Sequence, residues 1–63
     1  MTKSEQRECV SIANYVSAGM RDTAARAAGT LYRSARTTKS QNEIMAYAMA
    51  YKLVSMPEFM GGR

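Results

Sequence analysis

Few side chains in this sequence could carry out chemistry, and their spacing decides between catalysis and recognition. There is no histidine, and cysteine occurs once, at Cys9. A hydrolytic or transfer site needs converging groups, such as a nucleophile beside a base. Cys9 has no histidine to take its proton. It falls on an apolar stripe, where a buried thiol behaves as a small hydrophobe. Glu5 and Glu8 lie close enough in sequence to form an acid–base pair. Both also sit at a helix start, where the positive end of the helix dipole favours carboxylates, and that simpler reading accounts for them. Zinc needs several thiolate or imidazole ligands. Calcium needs clustered carboxylates, and Asp22 stands alone. Gly61 and Gly62 precede no helix and so form no phosphate loop. These residues point away from an enzyme, and no metal or cofactor is expected.

The basic residues point toward recognition. The formal net charge is +4. Acids and bases cancel in the first twenty residues and again beyond residue 40. The excess lies in Arg21, Arg26, Arg33, Arg36 and Lys39, set against Asp22. On one helix Arg26, Arg33 and Arg36 fall within ~80° of one another, with Asp22 placed to pair with Arg26. Tyr15, Gly29 and Tyr32 share that face. Arginine and tyrosine are enriched among residues that carry binding energy, so Tyr15, Arg26, Tyr32, Arg33 and Arg36 form the expected partner-binding surface. Gly29 would allow a close approach there. A nucleic-acid-binding module using Arg26, Arg33 and Arg36 on phosphates is the alternative. The chain shows neither the short helices of a helix-turn-helix nor the leading strand of a ribbon-helix-helix dimer, so a protein partner is preferred.

The elements that position these residues are all helical; no stretch alternates as a strand does. Thr2 with Glu5, and Ser40 with Glu43, each match a capping box. Cys9, Ala13, Val16, Met20, Ala24, Ala27, Leu31 and Ala35 recur every three or four residues and fall in one sector ~100° wide. They predict one long helix over about 3–36. Gly19 and Gly29 oppose it, each costing ~1 kcal/mol against alanine. Gly19 could close a first helix, yet the stripe keeps its phase across it. A turn follows at 37–40, then a second helix over about 41–56 that stops before Pro57. Ile44, Tyr47, Tyr51 and Val54 form one of its stripes. Met45, Met49, Leu53 and Met56 form another, so it is apolar almost all round. Residues 57–63 read as a loose tail, in which Phe59 and Met60 either fold back onto the bundle or offer a hook to a partner.

A 63-residue chain is one domain at most and marginal as a monomer. The long helix would measure ~50 Å and the short one ~24 Å, so one cannot cover the other. The expected solution is all-α: a long helix and a shorter helix form a hairpin, and two hairpins pack as a dimeric four-helix arrangement. Cys9, Ala13, Val16, Met20, Ala24, Ala27, Leu31, Ile44, Tyr47, Tyr51 and Val54 would supply its core and dimer contacts. A single cysteine fits a reducing cytoplasm. No secretory pattern follows Lys3 and Arg7. The apolar run from Ile44 to Met56 is too short to span a bilayer, which takes ~20 residues, so no membrane association is expected.

At whole-chain level the sequence resembles a small early protein of lambda-type bacteriophages, encoded between the exonuclease and excisionase genes. The likeness lies in Met1-Thr2-Lys3-Ser4-Glu5-Gln6-Arg7, in Thr30-Leu31-Tyr32-Arg33-Ser34-Ala35-Arg36-Thr37-Thr38-Lys39, and in Met56-Pro57-Glu58-Phe59-Met60-Gly61-Gly62-Arg63. None of these stretches is a functional motif. The resemblance implies a host-cytoplasmic setting, production early in infection, and a role in tilting development toward lysis through a host or phage protein. It carries over no binding residues.

Overall fold

A computed structural model describes residues 2–61. Three helices run in order, α1 (Lys3–Ser17), α2 (Arg21–Ser34) and α3 (Thr38–Ala50), followed by a short 3-10 helix, η1 (Pro57–Met60). Among the described residues there is no strand. The all-α expectation therefore stands, while the pairing of one long helix with one short helix is replaced by a three-helix chain.

Local chemistry accounts for each boundary. Thr2 caps α1 as expected: its hydroxyl accepts from the Glu5 amide at 3.1 Å, and the Glu5 carboxylate accepts from the Thr2 amide at 2.8 Å. The expected continuous helix breaks at Gly19, whose φ is +79°. The Met20 amide donates to the Tyr15 carbonyl at 2.8 Å and the Gly19 amide to the Val16 carbonyl at 3.1 Å. This pair of bonds is the Schellman closure, which needs a left-handed residue, the conformation glycine adopts without strain. The molecule's extents of 27 × 21 × 17 Å leave no room for a helix of ~50 Å.

α3 also differs from expectation at both ends. It starts at Thr38 rather than near residue 41, because the Thr37 hydroxyl accepts from the Ser40 amide at 3.1 Å. Ser40, the expected cap, lies inside the first turn and is buried. The helix ends at Ala50 rather than near residue 56. There the Leu53 amide donates to Ala48 at 2.8 Å and the Lys52 amide to Met49 at 3.0 Å. This is a second Schellman closure, with Lys52 at φ +59° in the glycine position. Arg21 steadies this corner by donating from Nη2 to the carbonyls of Tyr51 at 2.8 Å and Lys52 at 3.3 Å. The segment 57–61, expected to be a loose tail, instead folds back and packs on α2.

α2 is the central element and packs against α1, α3 and η1. Its buried residues are small: Ala24, Ala25, Ala28 and Gly29, with Leu31 at the end. Ile12, Ile44 and Leu53 fill the spaces this leaves and are the largest fully buried side chains. Of the expected core, Cys9, Ala24, Leu31 and Ile44 are buried, while Val16, Ala27, Tyr47, Tyr51 and Val54 are half-buried against them. Ala13 is half-buried. Met20 is 44% exposed, because the break places it in the turn and off the stripe. The buried positions that the stripe did not anticipate, Ile12, Ala25 and Ala28, follow from the same break, which lets α1 and α2 present different faces.

Candidate interaction surfaces

The expected docking face on α2 is divided by the chain itself. Gly29, expected to be exposed, is buried beneath η1. A Cβ at Gly29 would fall on the carbonyl oxygen of Phe59 and lie 2.8 Å from its carbonyl carbon. Arg33 donates from Nη1 to the same Phe59 carbonyl at 3.0 Å. The Tyr32 ring is tilted 42° to that of Phe59, with centroids 6.1 Å apart. Gly29, Tyr32 and Arg33 therefore form a seat for Phe59, which is 3% exposed. The close approach that Gly29 permits is made by the protein's own C-terminal segment. Tyr15 is half-buried and packs on the core. Arg26 and Arg36 alone of the expected set are exposed and outside this seat. Asp22, expected to pair with Arg26, accepts from the Thr23 amide at 2.9 Å.

Sequence reasoning did not find this seat, although one signal pointed to it. A glycine among alanines in a helix interior costs ~1 kcal/mol and usually marks a close backbone contact.

A second surface is the outer face of α3. Met49 is 62% exposed, and Ala46 and Ala50 beside it are exposed as well. Tyr47 and Tyr51 border this face, their rings tilted 54° with centroids 5.6 Å apart. With Glu43 they line a shallow depression of ≈ 390 Å³. The apolar pattern predicts that this helix is covered on more than one side. Among the described residues α2 is the main element packed against it, and the face around Ala46, Met49 and Ala50 is left exposed.

The two groups with chemical potential lie on the inner side of α1. Glu5 is 9% exposed as a residue. The Thr2 backbone hydrogen bond holds its pKa below the usual 4.5; burial opposes that shift, and the Ser40 and Thr2 hydroxyls reinforce it. Glu5 thus ties the start of α1 to the first turn of α3. Burial pushes the Cys9 thiol above its ordinary 9.0, helped by the charges of Glu5, Glu43 and Glu8. A thiol so placed stays protonated at neutral pH, whereas the reactive form is the thiolate. Among the described residues no group of three His, Cys, Asp or Glu side chains could hold a metal ion, and no helix is long and apolar enough to cross a membrane.

The chain matches no protein-family model, no curated protein and no solved structure at a significant level.

Proposed function

We propose that this chain is a non-enzymatic helical interaction protein. It pairs with a second copy through the outer face of α3 and presents Arg26 and Arg36 to another protein. The observation carrying this reading is the exposed apolar face around Met49, Ala46 and Ala50. The solvated back of a helix ordinarily carries charged residues. Here the exposed positions of α3 turn apolar after Lys39 and Asn42. Contiguous apolar surface rimmed by polar residues marks an interaction site. A chain near 60 residues buries only ~60% of its unfolded surface, so pairing adds stability where it is scarce. The protonated state of the buried Cys9 thiol supports the non-enzymatic part. The resemblance to early proteins of lambda-type phages suggests a host or phage protein as the target, met in the host cytoplasm.

Analytical ultracentrifugation tests the pairing. The wild-type chain should sediment at about twice its 7.0 kDa mass at micromolar concentration, with a melting point that rises with protein concentration. Met49→Glu should sediment as a folded monomer. A wild-type monomer with a concentration-independent midpoint would defeat the reading. For the second surface, Arg26→Glu with Arg36→Glu should abolish partner binding or biological effect while the far-ultraviolet spectrum stays helical. Full retention of both would remove that surface from the proposal.

A further inference from the structure

We propose that the C-terminal segment beyond Lys52 exchanges between two copies of the chain, so that Phe59 of one copy fills the Gly29 seat of the other. The inference rests on the dimer reading above and specifies how that dimer is closed. Three observations carry it.

The first is the hinge. Lys52 occupies the left-handed position of a helix closure at φ +59°, where Cβ crowds the following carbonyl oxygen and glycine is the usual residue. No glycine or proline lies between Tyr51 and Met56. The apolar period runs on through this stretch, so the local sequence favours a continuing helix over a bend. The closed hinge is held from outside, by Arg21 on the carbonyls of Tyr51 and Lys52. A short, strained hinge loop is the usual setting for segment exchange.

The second is the seat. Phe59 is held by Gly29, Tyr32 and Arg33, all on α2, while the segment itself hangs from α3. A second copy offers the same seat, so the contact energy is equal within one chain and between two. Exchange of an identical element is a low-cost route to a dimer for that reason.

The third is reach. At ~3.3 Å per residue the chain from Lys52 to Phe59 extends over roughly 23 Å. The molecule measures 27 × 21 × 17 Å. An opened tail is therefore comparable in length to one molecule, which puts exchange with a touching copy within the chain's extension.

Complementation between two full-length variants tests the exchange. Gly29→Ala blocks the seat and keeps the plug; Phe59→Ala keeps the seat and lacks the plug. With exchange, a mixed dimer contains one joint built from two native residues, and neither variant alone contains any. The mixture should form a mixed dimer by native mass spectrometry and melt above both components. A mixed dimer that melts no higher than its components overturns the exchange, because each chain then keeps its own defective joint. Lys52→Gly gives a second arm that does not depend on destabilised variants. It removes the steric strain of the closed hinge and should raise the dimer dissociation constant at least about ten-fold, two relaxed hinges contributing per dimer. An unchanged or lowered constant overturns the proposal. A wild-type chain that is monomeric defeats the underlying dimer reading and the exchange together. A wild-type dimer that fails either arm defeats the exchange alone.

Discussion

Gly29 carries a packing role that its lack of a side chain conceals. Gly29→Ala gains ~1 kcal/mol of helix propensity. It also drives a methyl group into the Phe59 backbone, which cannot swing aside as a flexible side chain would. Overpacking of this kind typically costs ~1–3 kcal/mol. The expected result is a net loss of stability in urea melts. A net gain would mean that η1 does not sit on α2. Glu5 gives a test by pH. Its pKa is lowered on folding, so its contribution is fully present above the ordinary 4.5. That contribution is lost as the pH falls through the lower value of the folded state. Glu5→Gln cannot titrate, and its stability should fall less steeply than wild type across that acid window. Parallel curves for the two proteins would show that Glu5 is not held by Thr2 and Ser40.

At the scale of elements, the threonine caps and glycine breaks set the boundaries. Thr37→Ala removes the acceptor for the Ser40 amide and should cost ~1 kcal/mol, as lost caps do. Gly19→Ala should cost ~1–2 kcal/mol through backbone strain alone, since a Cβ there meets nothing within 4 Å. If α1 and α2 were one continuous helix, Gly19→Ala would instead stabilise the protein, and thermal melts separate the two outcomes. The sequence showed the helical class and the Thr2–Glu5 cap plainly, because both are local patterns. The break at Gly19 was hidden by an apolar stripe that holds its phase across the turn. The start of α3 is ambiguous in sequence because Thr37 and Ser40 both suit a cap, and tertiary packing buries Ser40. Its end is not legible in sequence because Lys52 takes the glycine role with no local signal. Arg26 and Arg36 were legible as exposed cations. The commitment of Arg33 to Phe59 depends on a contact between residues far apart in the chain.

In the whole molecule, one helix touches every other element, and it does so through alanines and a glycine. Backbones therefore approach closely, and much of the interior of α2 is main chain rather than side chain. Ala24, Ala25 and Ala28 are at most 1% exposed, so a larger side chain at any of them must displace closely packed neighbours. The consequence extends to the order in which parts of the protein open. Because α2 packs against α1, α3 and η1, its amides should become accessible to solvent deuterium only when all three have lost their seat. Those of η1 and of the first turn of α1 need much smaller openings. Native-state hydrogen exchange should place the slowest amides in the span from Ala24 to Leu31, at the free energy of global unfolding, with η1 exchanging first. Equal protection in η1 and in α2 would show that the segment does not come away by itself. On that outcome, the chain would keep a helical centre while its C-terminal strap opened and closed.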